Sequence, residues 1–199
     1  MMKPTRGLTL PELLVALAVV AILVAVAAPS FRGMIEVQRL RGVNSQVVTD
    51  LQFARNESAA RGVPVRIVFR NSPTETCYSL YTSSTAAHDG NAERCNCLEG
   101  AGNACTPGTG TAEVKTVSVP ATLAVKVTPV DGVAALAFDP VTGGILTIPI
   151  DRVSEPMPLF RVASWLDDPR RLYNVLNQSG RPSVCAPAGT RLGETPCAP

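Results

Sequence analysis

A single carboxylate lies at the start of the most apolar stretch of this chain. Glu12 is followed by an unbroken apolar run to residue 28, and that run contains no lysine or arginine. An ionised carboxylate near the centre of a bilayer costs roughly 2.5–3.5 kcal/mol on insertion scales, so such a group usually has a partner. If the chain is cut after Gly7, Leu8 becomes the first residue, and the ammonium group of a neighbouring copy can pair with Glu12. Because only a second subunit neutralises the acid, the pattern favours assembly into a filament.

The residues from Gly7 to Glu12 resemble the type IV prepilin cleavage and methylation motif. They read Gly-Leu-Thr-Leu-Pro-Glu. In that family a prepilin peptidase cuts after the glycine and N-methylates the new first residue, and the glutamate takes part in assembly. The resemblance implies cleavage between Gly7 and Leu8, methylation of Leu8, and assembly through Glu12 with Thr9 beside it. Leu8 replaces the usual phenylalanine, and Pro11 replaces isoleucine or valine in the first helical turn, where proline is tolerated.

Two further segments resemble the GspH/FimT group of minor pilins and pseudopilins. They are 28–32 (APSFR) and 51–65 (LQFARNESAARGVPV), and a weaker match returns at 177–185. The resemblance implies an α+β, pilin-like fold, in which a long N-terminal transmembrane and amphipathic helix packs on a small antiparallel β domain of two short sheets. It implies a structural subunit of a type IV pilus or a type II secretion pseudopilus. The implied partners are the prepilin peptidase, other minor pilins or pseudopilins, the filament subunits and the inner membrane.

A conventional secretory signal is the competing interpretation of the N-terminus. A basic leader, an apolar run and the small residues at Ala25-Val26-Ala27 would suit a cleaved signal peptide. The isolated Glu12 argues against a signal peptide, and so does the helical pattern that continues through Phe31. We therefore favour the prepilin interpretation.

The charges around the apolar run predict the orientation of the chain. Lys3 and Arg6 precede the run, so the positive-inside rule leaves the leader in the cytoplasm and exports the part of the chain beyond the run. We expect a single pass through the bacterial inner membrane, a periplasmic C-terminal domain, and later a place in the pilus or pseudopilus. Removing these two cations from the formal net charge of +2 leaves zero, which argues against a strongly basic nucleic-acid binder. The predicted boundaries are a leader at 1–7, a transmembrane helix at 8–28, its amphipathic continuation at 29–62 and an exported β-rich domain at 63–199.

The second part of the helix is predicted to bury one face. Its apolar stripe recurs at spacings of three and four residues and consists of Leu40, Val43, Val47, Leu51, Ala54 and Ser58. The polar residues between them, Asn44 and Asp50 included, are expected to face solvent. Gly62 suits the position just beyond the helix end. Eight short strands are predicted after it, at 63–70, 76–81, 113–119, 123–128, 134–139, 144–150, 158–163 and 171–176.

All the cysteines follow the apolar run. They are Cys77, Cys95, Cys97, Cys105, Cys185 and Cys197. An even set in an exported, oxidising compartment predicts disulfides. We expect Cys185–Cys197 to close the C-terminal loop at 177–199, and the other four to pair among themselves and staple a surface loop at 83–112. A zinc site of four cysteines is the alternative, but C-x-C at 95–97 is a weak zinc spacing.

The residues needed for catalysis are missing from the sequence. His88 is the sole histidine and lies in a polar loop, which excludes zinc sites that need two histidines. The sequence has no P-loop, G-x-S-x-G or G-x-G-x-x-G motif. We therefore expect no enzyme activity, no cofactor and no metal.

The C-terminal segment contains the one candidate ligand site. Residues 177–185 read NQSGRPSVC and look like the end of FimT-type minor pilins, some of which bind DNA during natural transformation through Gly-Arg-x-Arg. Gly180 and Arg181 match that motif, whereas Ser183 occupies the second arginine position. A DNA-binding tip subunit for DNA uptake is therefore the alternative function, with Arg181 and Arg191 as candidate contacts. Phosphate binding requires several cations on one surface. The alternative is that Gly180 makes a turn and Arg181 is a solvated or salt-bridged edge residue.

Overall fold

A computed structural model describes residues 9–83, 95–107, 110–130, 132–147, 157–190 and 192–197, without the side chains of 27–30 and 147. It contains one long helix, α1 (Leu10–Arg61), followed by nine strands. The chain divides into two compact units, one up to Gln38 and the other from Arg39 onward. The predicted α+β class is confirmed.

The first unit contains the apolar part of α1. Its large side chains are exposed, with 58% exposure at Leu14, 64% at Leu23 and 62% at Phe31. By length and composition, no single helix among the described residues could cross a membrane. The segments Leu10–Val26 and Phe31–Arg61 are bent relative to each other, and by the same criteria the two together could cross one. The unit therefore has an apolar surface that the described part of the chain does not bury.

The end of α1 follows from a glycine. Gly62 has φ of 66°, a conformation that L side chains rarely adopt, and its N–H donates to the Ser58 carbonyl over 3.0 Å. Pro64 follows two residues later and prevents the helix from continuing. The helix thus ends one residue before the predicted boundary at residue 62.

Two antiparallel sheets form the rest of the second unit. The five-stranded sheet has the order β3-β2-β1-β5-β6 and consists of β1 (Val65–Asn71), β2 (Glu75–Ser83), β3 (Thr111–Pro120), β5 (Ala135–Phe138) and β6 (Ile145–Thr147). The four-stranded sheet has the order β4-β7-β8-β9 and consists of β4 (Lys126–Pro129), β7 (Leu159–Asp167), β8 (Arg170–Asn177) and β9 (Pro182–Cys185). Each of the eight predicted strands overlaps one of these, and only β9 was not predicted.

The core lies between the second part of α1 and the inner faces of both sheets. On the helix, Leu40, Val47, Leu51 and Ala54 are at most 2% exposed, as the stripe predicted. The two sheets meet at Phe69, whose ring lies 5.6 Å from that of Tyr78 and 6.1 Å from that of Phe160 on β7. These rings join the sheets into one core.

The prediction that Asn44 and Asp50 face solvent was wrong. Asn44 is 4% exposed and Asp50 is 1% exposed. Asn44 Oδ1 accepts a hydrogen bond of 2.9 Å from Asn174 Nδ2 on β8, so a polar contact ties the helix to the four-stranded sheet. The spacing of 40, 44, 47 and 51 places Asn44 within the stripe, and a partner side chain makes its burial tolerable.

Asp50 anchors the helix to the five-stranded sheet. Its carboxylate accepts from Tyr78 Oη at 2.7 Å, from Lys115 Nζ at 2.6 Å and from Gln46 Nε2 at 3.0 Å. Burial raises the pKa of Tyr78 above its ordinary range, and the neighbouring Asp50 charge raises it further. Tyr78 therefore stays protonated and donates to Asp50, which leaves the buried carboxylate fully paired.

We expect Asp50→Ala to lower the free energy of unfolding by about 2–3 kcal/mol. Removing one partner of a fully buried pair costs about 3–5 kcal/mol, and this figure is reduced because Lys115 reaches solvent. Urea unfolding of the full chain in detergent, followed by tryptophan fluorescence, measures the change. Glu57→Ala is the matched control, because its i,i+4 pair with Arg61 near the surface contributes only about 0.3–0.5 kcal/mol. Equal effects of the two substitutions would contradict the anchor.

Three disulfides stabilise the second unit. They are Cys77–Cys97, Cys95–Cys105 and Cys185–Cys197. The pairing of Cys185 with Cys197 is the one that was expected, and the other four cysteines do pair among themselves. Cys95 and Cys105 pack on Val68, Tyr81 and Ala135 of the five-stranded sheet. Within the predicted loop at 83–112, residues 84–94 and 108–109, and with them His88, lie outside the described residues.

Candidate assembly motif and C-terminal turn

The first turn of α1 contains one half of a capping box. The Leu13 N–H donates to the Thr9 carbonyl over 3.1 Å, which makes Thr9 the N-cap residue. Glu12, three residues on, accepts from the Thr9 N–H at 3.5 Å, the long limit for a hydrogen bond. Thr9 and Glu12 are both exposed. The carboxylate thus lies beside the positive end of the helix dipole and remains accessible to a second group.

The turn between β8 and β9 is tight and partly buried. The Gly180 N–H donates to the Asn177 carbonyl over 2.9 Å, and Gly180 has φ of 70°. Gly180 is buried, whereas Arg181, the next residue, is exposed. Arg181 makes no hydrogen bond or ion pair with any described residue. The turn therefore projects a guanidinium from a fixed backbone.

Backbone contacts hold this turn against the loop between β5 and β6. A Cβ at Gly180 would fall well inside 3.0 Å of the Gly143 carbonyl oxygen, and a Cβ at Gly144 would fall 2.8 Å from the Gln178 carbonyl oxygen. Arg55 on α1 donates from Nε to the same Gly143 carbonyl over 3.0 Å. Arg55 of the helix, Gly143 of the loop and Gly180 of the turn thus meet at one carbonyl group. We call this three-residue contact the glycine dock.

The C-terminal loop is held at the other end of the same helix segment. Arg41 donates from Nη2 to the Leu192 carbonyl over 2.9 Å and lies 3.5 Å from Glu194 Oε1. The Cys185–Cys197 disulfide closes the loop. The last described residues are therefore fixed to α1 as well as to β9.

The family comparisons agree with this geometry. A model of the prokaryotic N-terminal methylation motif matches residues 2–28, and a model described as type II transport protein GspH matches residues 44–180, more than half of the chain. The chain belongs to the GspH family. Comparisons with curated proteins and with solved structures found no match.

Membership of the GspH family makes this chain a GspH/FimT-type pseudopilin or minor pilin. Its role accordingly lies in type II secretion or in type IV pili. The predicted pilin-like fold, with a long N-terminal helix and two small antiparallel sheets, is confirmed. Such subunits act by assembly, and the family is structural in character.

The structure places the predicted site residues of this GspH-family chain in different regions. Thr9 and Glu12 lie together in one helical turn, and Arg181 lies in the turn before β9. Gly7, Leu8 and Arg191 lie outside the described residues. Among the described residues no group of three histidine, cysteine or acidic side chains could hold a metal, and all six cysteines form disulfides.

Two members of the glycine dock, Arg55 and Gly143, were not singled out in the sequence analysis, whereas Gly180 was. The contacts join positions 55, 143 and 180, so no local pattern links them. The two adjacent glycines at 143–144 by themselves indicate only a turn. The signal that could have found them is the pair of glycines at 143 and 180, both with positive φ.

Proposed function

We propose that this chain is made as a prepilin, cut after Gly7 and N-methylated on Leu8 by a prepilin peptidase. The basic leader stays in the cytoplasm, residues 8–28 cross the inner membrane, and the β domain from residue 63 lies in the periplasm. The exposed apolar side chains of the first unit support this proposal, because a bilayer or neighbouring helices would bury them. Three disulfides suit an oxidising compartment.

Glu12 is the residue on which assembly depends in this proposal. The supporting observation is its position: an exposed carboxylate in the first turn of a helix whose following side chains are apolar and exposed. The N-terminal ammonium of an adjacent subunit would neutralise it as the helices pack together. The capping bond to Thr9 is long, so little is lost when Glu12 changes partner.

The proposal is tested in a strain that lacks this chain and in its complemented counterpart. Twitching motility reports type IV pili, and release of an exported enzyme reports type II secretion. We expect one of the two to be lost and then restored by complementation. The one that is lost identifies the machine, and the remaining minor subunits of that machine are the expected partners. Normal behaviour in both assays would contradict the proposal.

DNA uptake is the second candidate function. The supporting observation is the exposed Arg181, which the buried Gly180 holds in a fixed turn. In a gel-shift titration at low salt, we expect the full chain in neutral detergent to retard duplex DNA. Arg181→Ala should weaken that binding severalfold. Arg39→Ala is the matched control, because Arg39 is also exposed but lies on the helix. Absence of a shift with the wild-type protein at low salt would rule out this candidate.

A further inference from the structure

The outer face of the four-stranded sheet has its own chemistry. Inward residues such as Phe160 and Leu176 pair across β7 and β8 and are buried, so their neighbours in sequence point outward. The outward positions form four rows across the sheet: Leu159 with Asn177, Arg161 with Val175 and Ser183, Thr128 with Ala163 and Tyr173, and Lys126 with Trp165 and Arg171. Arg181 precedes β9 and extends the first row.

Cations lie at both ends of this outer face. Lys126 and Arg171 belong to the last row, Arg161 to the second, and Arg181 to the first. Same-face residues on a strand are about 6.8 Å apart, so the four rows span about 20 Å. Asp168 contacts Arg171 and lines the same hollow as Arg171. The described outward positions of the four rows thus hold cations and no carboxylate, although the mature chain has side-chain charges that sum to zero.

An aromatic hollow lies in the middle of the charged rows. It has a volume of about 230 Å³, and Trp165 and Tyr173 line it together with the small side chain of Ala163. The indole is held in place, because Trp165 Nε1 donates to Thr128 Oγ1 over 3.1 Å and Lys126 Nζ lies 5.1 Å from the ring centroid. The hollow can therefore take one flat ring without rearrangement of its walls.

The hollow also offers a hydrogen-bond donor. Arg171 lines it, and its Nε is buried with no hydrogen-bond partner among the described residues. Its other nitrogens are engaged, since Nη2 contacts Asp168 and Nη1 lies 3.5 Å from Tyr173 Oη. A buried donor without an acceptor is costly, so a ring that carries an acceptor atom would satisfy it.

We propose that this outer face binds single-stranded nucleic acid, with one unstacked base between Trp165 and Tyr173 and the phosphates along Lys126 and Arg181. Every base has a π-face and carries ring or carbonyl acceptors. A duplex keeps its bases stacked and cannot fill the hollow. The inference extends the second candidate function and is independent of filament assembly.

The single tryptophan makes this inference directly measurable. Trp165 is the only tryptophan in the chain, so intrinsic fluorescence of the full chain in neutral detergent reports the hollow alone. We expect a 12-nucleotide oligothymidylate to quench that fluorescence saturably at low salt. The duplex of the same length and inorganic polyphosphate should not quench it.

Two substitutions and a control separate stacking from charge. Tyr173→Ala should weaken the single-strand affinity by about 5-fold to 150-fold, the range expected for loss of one stacked base. Lys126→Ala should reduce the slope of log affinity against log salt by about 0.7. Arg39→Ala should change neither the single-strand affinity nor its salt dependence. Unchanged thermal melting confirms that each variant is folded.

Either of two results would overturn the inference. One is absence of quenching by the oligonucleotide at low salt. The other is equal binding of polyphosphate with no effect of Tyr173→Ala, which indicates attraction by charge alone. If duplex DNA is retarded through Arg181 while Trp165 is not quenched, DNA uptake remains a candidate and the base-binding hollow does not.

Discussion

Glu12→Ala is expected to leave processing of the chain intact and to reduce its recovery in sheared filaments at least about tenfold. Removing one partner of a buried ion pair costs about 3–5 kcal/mol, and 1.4 kcal/mol corresponds to a factor of ten. The proposed cleavage site lies before the helix, which begins at Leu10, so the mutant should still lose its leader. Immunoblots of membranes and of sheared filaments from the same cells measure both quantities.

Glu12→Gln is the variant that separates charge from helix capping. Glutamine also accepts the backbone N–H of the N-cap residue in a capping box, so the bond from Thr9 is kept. It carries no charge and cannot neutralise the ammonium group of a neighbour. We expect Glu12→Gln to be as defective in incorporation as Glu12→Ala. Normal incorporation of the glutamine variant would show that the carboxylate serves to cap the helix and would contradict the ion-pair mechanism.

Gly180→Ala is expected to lower the free energy of unfolding by about 2–5 kcal/mol. A positive φ costs an L residue about 1–2 kcal/mol, and overpacking against a fixed neighbour adds about 1–3 kcal/mol. The neighbour here is the Gly143 carbonyl, which Arg55 also holds and which cannot move without opening the glycine dock. Urea unfolding of the full chain in detergent, followed by Trp165 fluorescence, measures the change.

Gly189→Ala is the matched control for that substitution. Gly189 has φ of 86°, but a Cβ there would meet no atom within 4 Å. Gly189→Ala should therefore lower the free energy of unfolding only through strain in the backbone, by about 1–2 kcal/mol. The difference between the effects of Gly180→Ala and Gly189→Ala on the free energy of unfolding measures how much the glycine dock contributes to stability. If both substitutions destabilise the chain equally, the close contact between the turn and the loop does not contribute to stability.

Local signals in the sequence predicted most of the fold. Gly62 and Pro64 marked the end of the helix because their effect on the backbone does not depend on the rest of the chain. Turn residues separated the eight predicted strands for the same reason. Strand β9 was missed because it is four residues long, begins at Pro182 and lies in a segment assigned to a loop. Its pairing with β8 is a tertiary effect.

Polar residues in the core were the main error in the helix. The spacing of three and four residues placed Asn44 in the buried stripe, but its polarity assigned it to solvent. Asp50 was misassigned in the same way. Their partners, Asn174 and Tyr78, lie far away in sequence, and burial of a polar side chain depends on such partners.

The assembly motif could be identified from sequence because its residues are contiguous, whereas the candidate surfaces of the β domain could not. Residues 7–12 carry the proposed cleavage, methylation and assembly positions in one stretch. The glycine dock and the outer face of the four-stranded sheet combine residues from three or four elements. Only the strand register brings Lys126, Trp165 and Arg171 into one row.

Mass spectrometry of the chain recovered from sheared filaments tests most directly whether the chain is processed and then assembled into filaments. We predict an intact chain that begins at Leu8, carries one added methyl group on its N-terminus and retains three disulfides. A chain that still begins at Met1 would contradict assembly through Glu12 and a processed N-terminus. A chain cut after Ala27, as expected of a secretory signal peptide, would contradict it as well. So would a correctly processed chain that never leaves the membrane fraction when filaments are present.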